Sequence, residues 1–352
     1  MINTLRVKGY RCLQDVEVAL TPFHAFIGPN DSGKSTLLGA IRTLGVAAGV
    51  LSDPTSTMGW LRAQLFPGAK TVLMEAQTGD EASPFRIKVE NGGAGISIGD
   101  AAPLWTFGEH SGGGSTDAAA PYLAALTKLS RTMLVRLNQA ALRSTSPILT
   151  EAEAARFPEA SNVALAGVLE VLQSRADGAL GTITEELQEL FPTVAKLQVP
   201  TVSLENGEKG KAIRLVLRGG QTVDAQGISE GMLYYLAVVA LARLGLPQVL
   251  LVEEPENGLH PARIVEVVKI LREAAKGRTQ VIMATHSPLV VNEMGADEVT
   301  LVTRSVETGT VCTPIAKTKS FVDRSKVYSL GELWLSYANG SDEKDLVEGT
   351  NS

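Results

Sequence analysis

Cysteine is almost absent: Cys12 and Cys312 are the only two in 352 residues, and they stand far apart. With no CxxC pair and no Cys/His cluster, neither a disulfide framework nor a zinc site is supported. Basic residues are not in excess either. The 32 Lys and Arg face 38 Asp and Glu, a formal charge of −6, so nucleic-acid binding would need a local basic patch. The longest apolar stretch, residues 233–246, contains two tyrosines and Arg243. It falls short of the roughly 20 residues a membrane span needs. The N-terminus turns polar within a few residues and reads as a strand, not a secretion signal, so the expected location is cytoplasmic with no membrane partner. Heptads do not continue for tens of residues, which argues against a long coiled-coil arm, and no internal repeat is visible. What is present is an apolar fraction of 44%, enough for a sizeable core in one large domain or two medium ones.

One stretch organises the rest. Gly28-Pro29-Asn30-Asp31-Ser32-Gly33-Lys34-Ser35-Thr36 fits the phosphate-binding pattern G-x-x-x-x-G-K-[ST] at every fixed position. The apolar run Ala25-Phe26-Ile27 before it reads as a buried strand, and residues 36–41 after it as the start of a helix. In that context, loop N–H groups and a helix N-terminus surround a phosphate chain. Lys34 is expected to reach the β- and γ-phosphates of ATP and the Ser35 hydroxyl to ligate Mg2+.

In chain order, residues 1–45 hold two short entry strands, the strand before the loop, and a helix to about Leu44. Arg11 interrupts the entry strands; it either faces the nucleotide or is a solvated edge arginine. Residues 46–118 read as an inserted antiparallel lobe: a short helix over 60–66, strands over 71–77, 85–89 and 96–98, a turn at Asn91-Gly92-Gly93, and a mobile Gly-rich loop over 108–116. Residues 119–224 read as a helical insertion followed by strands over 194–204 and 212–217. Residues 225–335 carry a helix from about Met232 to Leu244, a second helix opened by Pro261, and four further strands. Residues 336–352 form a polar tail.

Three motifs belong beside the loop. Val249-Leu250-Leu251-Val252 is a continuous apolar run, as in a buried parallel strand, and it ends in Glu253-Glu254. Such a strand delivers its terminal carboxylates to the sheet edge where phosphates bind. Glu253 is expected to hold Mg2+, directly or through water, and Glu254 to act as general base toward the attacking water. His286 ends the next strand and is placed to contact the γ-phosphate and that water, although a lone histidine is more often structural. Ser229-Glu230-Gly231 opens a helix, with Ser229 as N-cap and the helix dipole directed toward an anion.

Residues 28–36, 228–231, 249–261 and 285–288 together resemble the ABC-class ATPases, and more closely their RecF-like and OLD-like branch. The segment Glu253-Glu254-Pro255-Glu256-Asn257-Gly258-Leu259-His260-Pro261 is similar to that branch's "DEPExxLHP". The likeness covers roughly 1–45 and 225–335. It implies an α/β fold, a P-loop NTPase of ABC-ATPase type with a mixed central sheet, an antiparallel β-lobe and an inserted helical segment, forming one head over 1–352. It also implies a head-to-tail homodimer in which Ser229 and Gly231 of one copy meet the P-loop of the other. Lys34, Ser35, Glu253, Glu254 and His286 would then serve hydrolysis of ATP. A glutamine that reaches the metal is expected too, with Gln139 preferred and Gln77 the rival. Two departures stand out: Glu253 replaces the usual aspartate, which implies slower hydrolysis, and Asp31 replaces a small residue. The segment after His286 shows no DxD pair, so no built-in nuclease is expected. The resemblance implies DNA maintenance or anti-phage defence, with possible DNA contact and a separate effector protein. The alternatives are an ATP-gated regulator holding a toxin or nuclease, and a non-hydrolysing ATP sensor.

Overall fold

A computed structural model of the chain describes residues 1–50, 71–78, 84–90, 93–98, 105–108, 112–114, 127, 129–159, 163–305, 309–324 and 327–338. The first part runs β1 (Ile2–Tyr10), β2 (Leu13–Ala19), β3 (Phe23–Ile27), α1 (Lys34–Val50), β4 (Thr71–Thr78), β5 (Phe85–Glu90), β6 (Gly93–Ile98), β7 (Trp105–Gly108), β8 (Gly112–Gly114) and β9 (Thr132–Val135). Next come α2 (Gln139–Arg143), β10 (Ser146–Pro147), α3 (Glu151–Ala154), α4 (Leu165–Ser174) and α5 (Ala179–Leu190). The short strands β11 (Val194–Gln198), β12 (Thr201–Ser203), β13 (Lys209–Lys211), β14 (Arg214–Leu217) and β15 (Thr222–Asp224) follow. The last part holds α6 (Glu230–Leu244), β16 (Val249–Glu253), α7 (Pro261–Lys276), β17 (Gln280–Thr285), α8 (Pro288–Asn292), β18 (Val299–Ser305), β19 (Gly309–Pro314), α9 (Lys319–Arg324) and α10 (Leu330–Ala338).

The chain divides into two compact units: residues 1–134, 247–255 and 275–352 make the first, and 135–246 with 256–274 make the second. In the first, a six-stranded sheet has the order β19-β18-β3-β17-β16-β9. Strands β16, β17, β3 and β18 run parallel, and β19 returns antiparallel to β18. Every residue of β3 and β17 is buried, as expected of inner strands covered on both faces. The other layer is a seven-stranded antiparallel sheet, β2-β1-β4-β5-β6-β7-β8. Helix α1 shares one core with both sheets: its Leu37, Leu38, Ile41 and Leu44 join Leu5, Val7 and Met74 from one, and Phe26, Leu251 and Ile282 from the other. Fully buried Gln280 fastens β1 to β17. Its Oε1 accepts from Ile2 N at 2.7 Å, and its Nε2 donates to Ile2 O at 2.8 Å.

In the second unit, α4, α5 and α6 pack together beside two three-stranded antiparallel sheets, β10-β13-β12 and β11-β14-β15. Leu233 to Leu241 of α6 are buried on all sides, which explains an apolar run without helical amphipathicity. Arg243 pairs with Glu186 of α5 at 2.5 Å, and Arg175 donates to Arg243 O at 2.8 Å.

Several expectations are corrected. Helix α1 passes Leu44 and continues to Val50, because Ala47 and Ala48 are small enough to stay fully buried in the core. Residues 112–114 of the expected Gly-rich loop form β8, paired with β7. The single strand expected over 194–204 breaks at Val199-Pro200, and its halves join different sheets. The expected helix over 60–66, the turn residues Asn91 and Gly92, and most of 115–128 lie outside the described residues.

Candidate functional site: a phosphate-binding loop with an acidic pair

Strand register brings the candidate residues to one edge of the mixed sheet. Ile27, the end of β3, lies opposite Thr285, the end of β17, and Ala284 lies opposite Glu253, the end of β16. The loop from Gly28, the acid Glu254 and His286 therefore leave the sheet within about one residue of each other in register.

The loop is tightly built. A Cβ on Gly28 would sit 2.0 Å from Val302 O, so backbone occupies the space a side chain would need. Gly33 has φ +114°, and a Cβ there would lie 3.0 Å from Thr310 Oγ1 and 3.3 Å from Cys12 Sγ. Asp31 adopts the left-handed region at φ +62° and is exposed, and it lines the cavity over the loop. Thr310 Oγ1 donates to Ser32 O at 2.9 Å. Buried Lys34 donates from Nζ to Gly28 O at 2.8 Å and Pro29 O at 2.7 Å, which holds its ammonium inside the loop. Ser32 Oγ is buried with no hydrogen-bond partner among the described residues. A hydroxyl left without a partner in this loop suits an anion.

Ser35 Oγ donates to Glu253 Oε1. These two hard oxygen donors fit Mg2+, which keeps several waters and takes its remaining ligands from phosphate. Among the described residues no group of three or more His, Cys, Asp or Glu is arranged to hold a metal. The pair therefore suits an ion that arrives with phosphate oxygens rather than one held by protein alone.

Glu254 is also left-handed, at φ +49°, fixed by its N–H donating to Ala284 O at 2.8 Å. A non-glycine residue in that region is uncommon and carries backbone strain. Its Oε1 lies 2.8 Å from His286 Nε2, and a carboxylate there makes Nε2 the donor. The carbonyl of His286 accepts from Trp334 Nε1 at 2.8 Å. Helix α10, which carries Trp334, is held by Gly331 N donating to Asn292 Oδ1 at 2.7 Å; a Cβ on Gly331 would lie 2.3 Å from Pro288 O.

A cavity of about 390 Å³ lies over the loop, and Asn30, Asp31 and residues 33–36 form its floor. Glu253, Glu254 and His286 also line it, as do Cys12 and Arg304. Cys12, Arg304 and Trp334 were not legible as site residues. Cys12 lies in the turn between β1 and β2, Arg304 within β18 and Trp334 within α10, and only the tertiary fold shows what each faces.

The remaining candidates are not among the residues that line this cavity. Arg11, exposed in the β1–β2 turn, sits with its guanidinium carbon 5.2 Å from the centre of the Tyr10 ring; its neighbour Cys12 lines the cavity. Gln77 is in β4, opposite Thr4. Gln139 belongs to the second unit, where its Nε2 donates to Glu230 Oε2 at 2.8 Å. Ser229 occupies the N-cap position of α6 without a side-chain cap bond, which leaves the helix end open. Gly231 packs so closely that a Cβ would be 2.9 Å from Gly258 O. Gln139, Glu230, Gly231 and Gly258 thus form one cluster.

Solved structures of similar architecture include SMC heads. A head bound to the C-winged helix domain of ScpA matches with TM-score 0.60 and 15% identity, over 89% of this chain and 96% of that one. The head domain from Thermotoga maritima gives 0.51 and 14%, over 89% and 98%. A head with an extended coiled coil bound to the C-terminal domain of ScpA, from Pyrococcus furiosus, gives 0.52 and 14%, over 92% and 99%. The fold is that of an ABC-type P-loop ATPase head. Within that class, the chain belongs to the family described as "AAA domain, putative AbiEii toxin, Type IV TA system", whose model matches residues 110–292. A second model, "AAA ATPase domain", matches residues 1–48. A stretch of 41 residues is 49% identical to the OLD nuclease of Thermus scotoductus, covering 12% of this chain and only 8% of that protein. Together these define an ABC-like ATPase of the OLD/RecF type. Among the described residues no helix is long and apolar enough to cross a membrane.

Proposed function

We propose that this chain is an ATP-hydrolysing switch that works in the cytoplasm as a homodimer, with a separate effector protein, in DNA maintenance or anti-phage defence. The observation that carries hydrolysis is the Glu254–His286 pair at 2.8 Å, lining the same cavity as Lys34 and Ser35. The loop amides and Lys34 bind the β- and γ-phosphates. Ser35 and Glu253 would hold Mg2+, which supplies charge neutralisation at phosphate oxygens when bound. Glu254 accepts a proton from the attacking water as its oxygen bonds to the γ-phosphorus and the bond to the β–γ bridging oxygen breaks. His286, held by Trp334 at its carbonyl, donates from Nε2 to Glu254 Oε1 and so keeps that carboxylate aimed at the attacking water. Ser229 and Gly231, at the uncapped start of α6, would complete the site of a partner copy.

One observation favours a second reading. The family description names a toxin and a toxin–antitoxin system, which supports a role within such a system; the reading that fits it is a regulator that holds a toxin or nuclease, without contact with DNA. Glu253, one methylene longer than aspartate, motivates a third, a non-hydrolysing sensor.

The test uses Glu254→Gln as a trap, purified from its own cells with Mg2+ and ATP. Retained nucleic acid that salt removes supports the DNA-linked switch. A stoichiometric protein without nucleic acid supports the regulator. A protein that stays monomeric with ATP overturns the dimeric switch, and a wild-type protein without turnover leaves only the sensor.

A further inference from the structure

Lys34 is not the only firm cation at the cavity. Arg304 lines it too, is exposed, and among the described residues has no hydrogen-bond or ion-pair partner. Its place in the sheet says which end of a nucleotide it would meet. Strands β17 and β16, which deliver His286, Glu253 and Glu254, lie on one flank of β3; β18 and β19 lie on the other. A nucleotide with its γ-phosphate against Glu254 and His286 therefore runs its α-phosphate toward the β18–β19 flank.

Two contacts mark that flank. Cys12 Sγ donates to Thr36 Oγ1 at 3.3 Å, just beyond the Lys34-Ser35 pair. Thr310 lies with Oγ1 against Gly33 and bonded to Ser32 O. Arg304 is paired with Thr310 directly across the β18–β19 ladder. Residues opposite each other in an antiparallel pair project to the same face, so Arg304 leans the way Thr310 does, toward the loop. Electrostatics give it a role. Asp31, Glu253 and Glu254 put three carboxylates around the cavity against two fixed cations, Lys34 and Arg304. A triphosphate entering such a surround depends on each cation.

We propose that Arg304 is a nucleotide-binding residue that grips the α-phosphate, leaving Lys34 to the β- and γ-phosphates. This rests on the reading of the cavity as an ATP site, and it makes Arg304 a determinant of affinity for ADP and ATP alike rather than of the chemical step.

The test is calorimetric titration of wild type, Arg304→Ala and Arg304→Lys with ADP, ATP and inorganic tripolyphosphate, all with Mg2+. Arg304→Ala is expected to lose between about tenfold and a hundredfold in affinity for all three, the range for a charge-assisted contact. Arg304→Lys keeps the charge but not the planar fork and should lose less. A second readout is alkylation of Cys12. ADP should slow it in wild type and not in Arg304→Ala at the same concentration. ADP affinity unchanged in Arg304→Ala overturns the proposal. A loss confined to ATP would move the contact to the γ-phosphate, and a loss that spares tripolyphosphate would move it to the base or ribose; either also overturns it. Wild-type protein that binds no nucleotide sinks the ATP site itself. Wild-type protein that binds ATP but does not turn it over sinks only hydrolysis and leaves Arg304 in place.

Discussion

Trp334→Phe separates positioning of His286 from packing. The indole is 5% exposed, and its Nε1 is 2.8 Å from the His286 carbonyl. Phenylalanine keeps one ring in the α8–α10 contact but cannot donate. The carbonyl left without this partner costs about 1–3 kcal/mol, and the missing second ring adds a void worth about 1 kcal/mol. At roughly 2–4 °C per kcal/mol for a domain of this size, the melting temperature should fall by about 4–16 °C. Loosening the backbone under His286 by about 1 kcal/mol should lower kcat roughly fivefold. The P-loop is untouched, so KM for ATP should stay within about twofold. In a Glu254→Gln background, where His286 has lost its carboxylate partner, the same change should have little further effect on residual turnover, whereas its cost in melting temperature should persist. A lower melting temperature with unchanged kcat would reduce Trp334 to a packing residue and refute its role in aiming His286.

Other outcomes follow from distances already given. Gly28→Ala places a methyl 2.0 Å from Val302 O, so calorimetry should show nucleotide binding lost by more than about a hundredfold; near-normal affinity would mean the loop does not hold phosphate in this conformation. Gly331→Ala drives a Cβ to 2.3 Å from Pro288 O and should separate α10 from α8, with kcat falling at least as far as in Trp334→Phe; a silent variant would dissociate α10 from the site. His24 is buried in β3 between Thr21 and Thr300. Desolvation pushes its pKa down to about 4 from 6.5, partly opposed by Glu298. The unfolded chain therefore binds that proton first on acidification. The contribution is full above pH 6.5 and is lost as the pH falls toward 4, by at most about 3 kcal/mol. Denaturant midpoints of wild type and His24→Gln should converge over that interval, and parallel pH profiles would refute it. Burial of the sulfur pushes the Cys312 thiol up to about 12, so at neutral pH a maleimide should label Cys12 and spare Cys312 in the folded protein, as mass spectrometry of the peptides would show.

The P-loop, the acidic end of β16 and His286 were legible because each combines a buried apolar strand with a fixed chemical group at its end, and parallel register does the rest. The antiparallel layer was legible for the same reason: β4, β5 and β6 alternate or run apolar between turn residues. Arg304 and Cys12 were not, since a residue's approach to the loop depends on which strand lies beside β3, and spacing carries no information about sheet order. Trp334 was hidden in a segment where α8, α9 and α10 are short and weakly patterned. Val199-Pro200 was read through as strand although proline cannot donate to a ladder. Gln139 was chosen for following a strand; its hydrogen bond to Glu230 comes from the packing of α2 against α6, which nothing local encodes.

The left-handed backbone of Glu254 has a consequence for anyone who improves this protein by selection. Glycine at that position would relax the φ of +49° and gain about 1 kcal/mol while removing the carboxylate. A screen that rewards only solubility or melting temperature will therefore drift toward loss of the carboxylate at residue 254, and under the proposed function turnover has to be scored alongside stability for the drift to be seen.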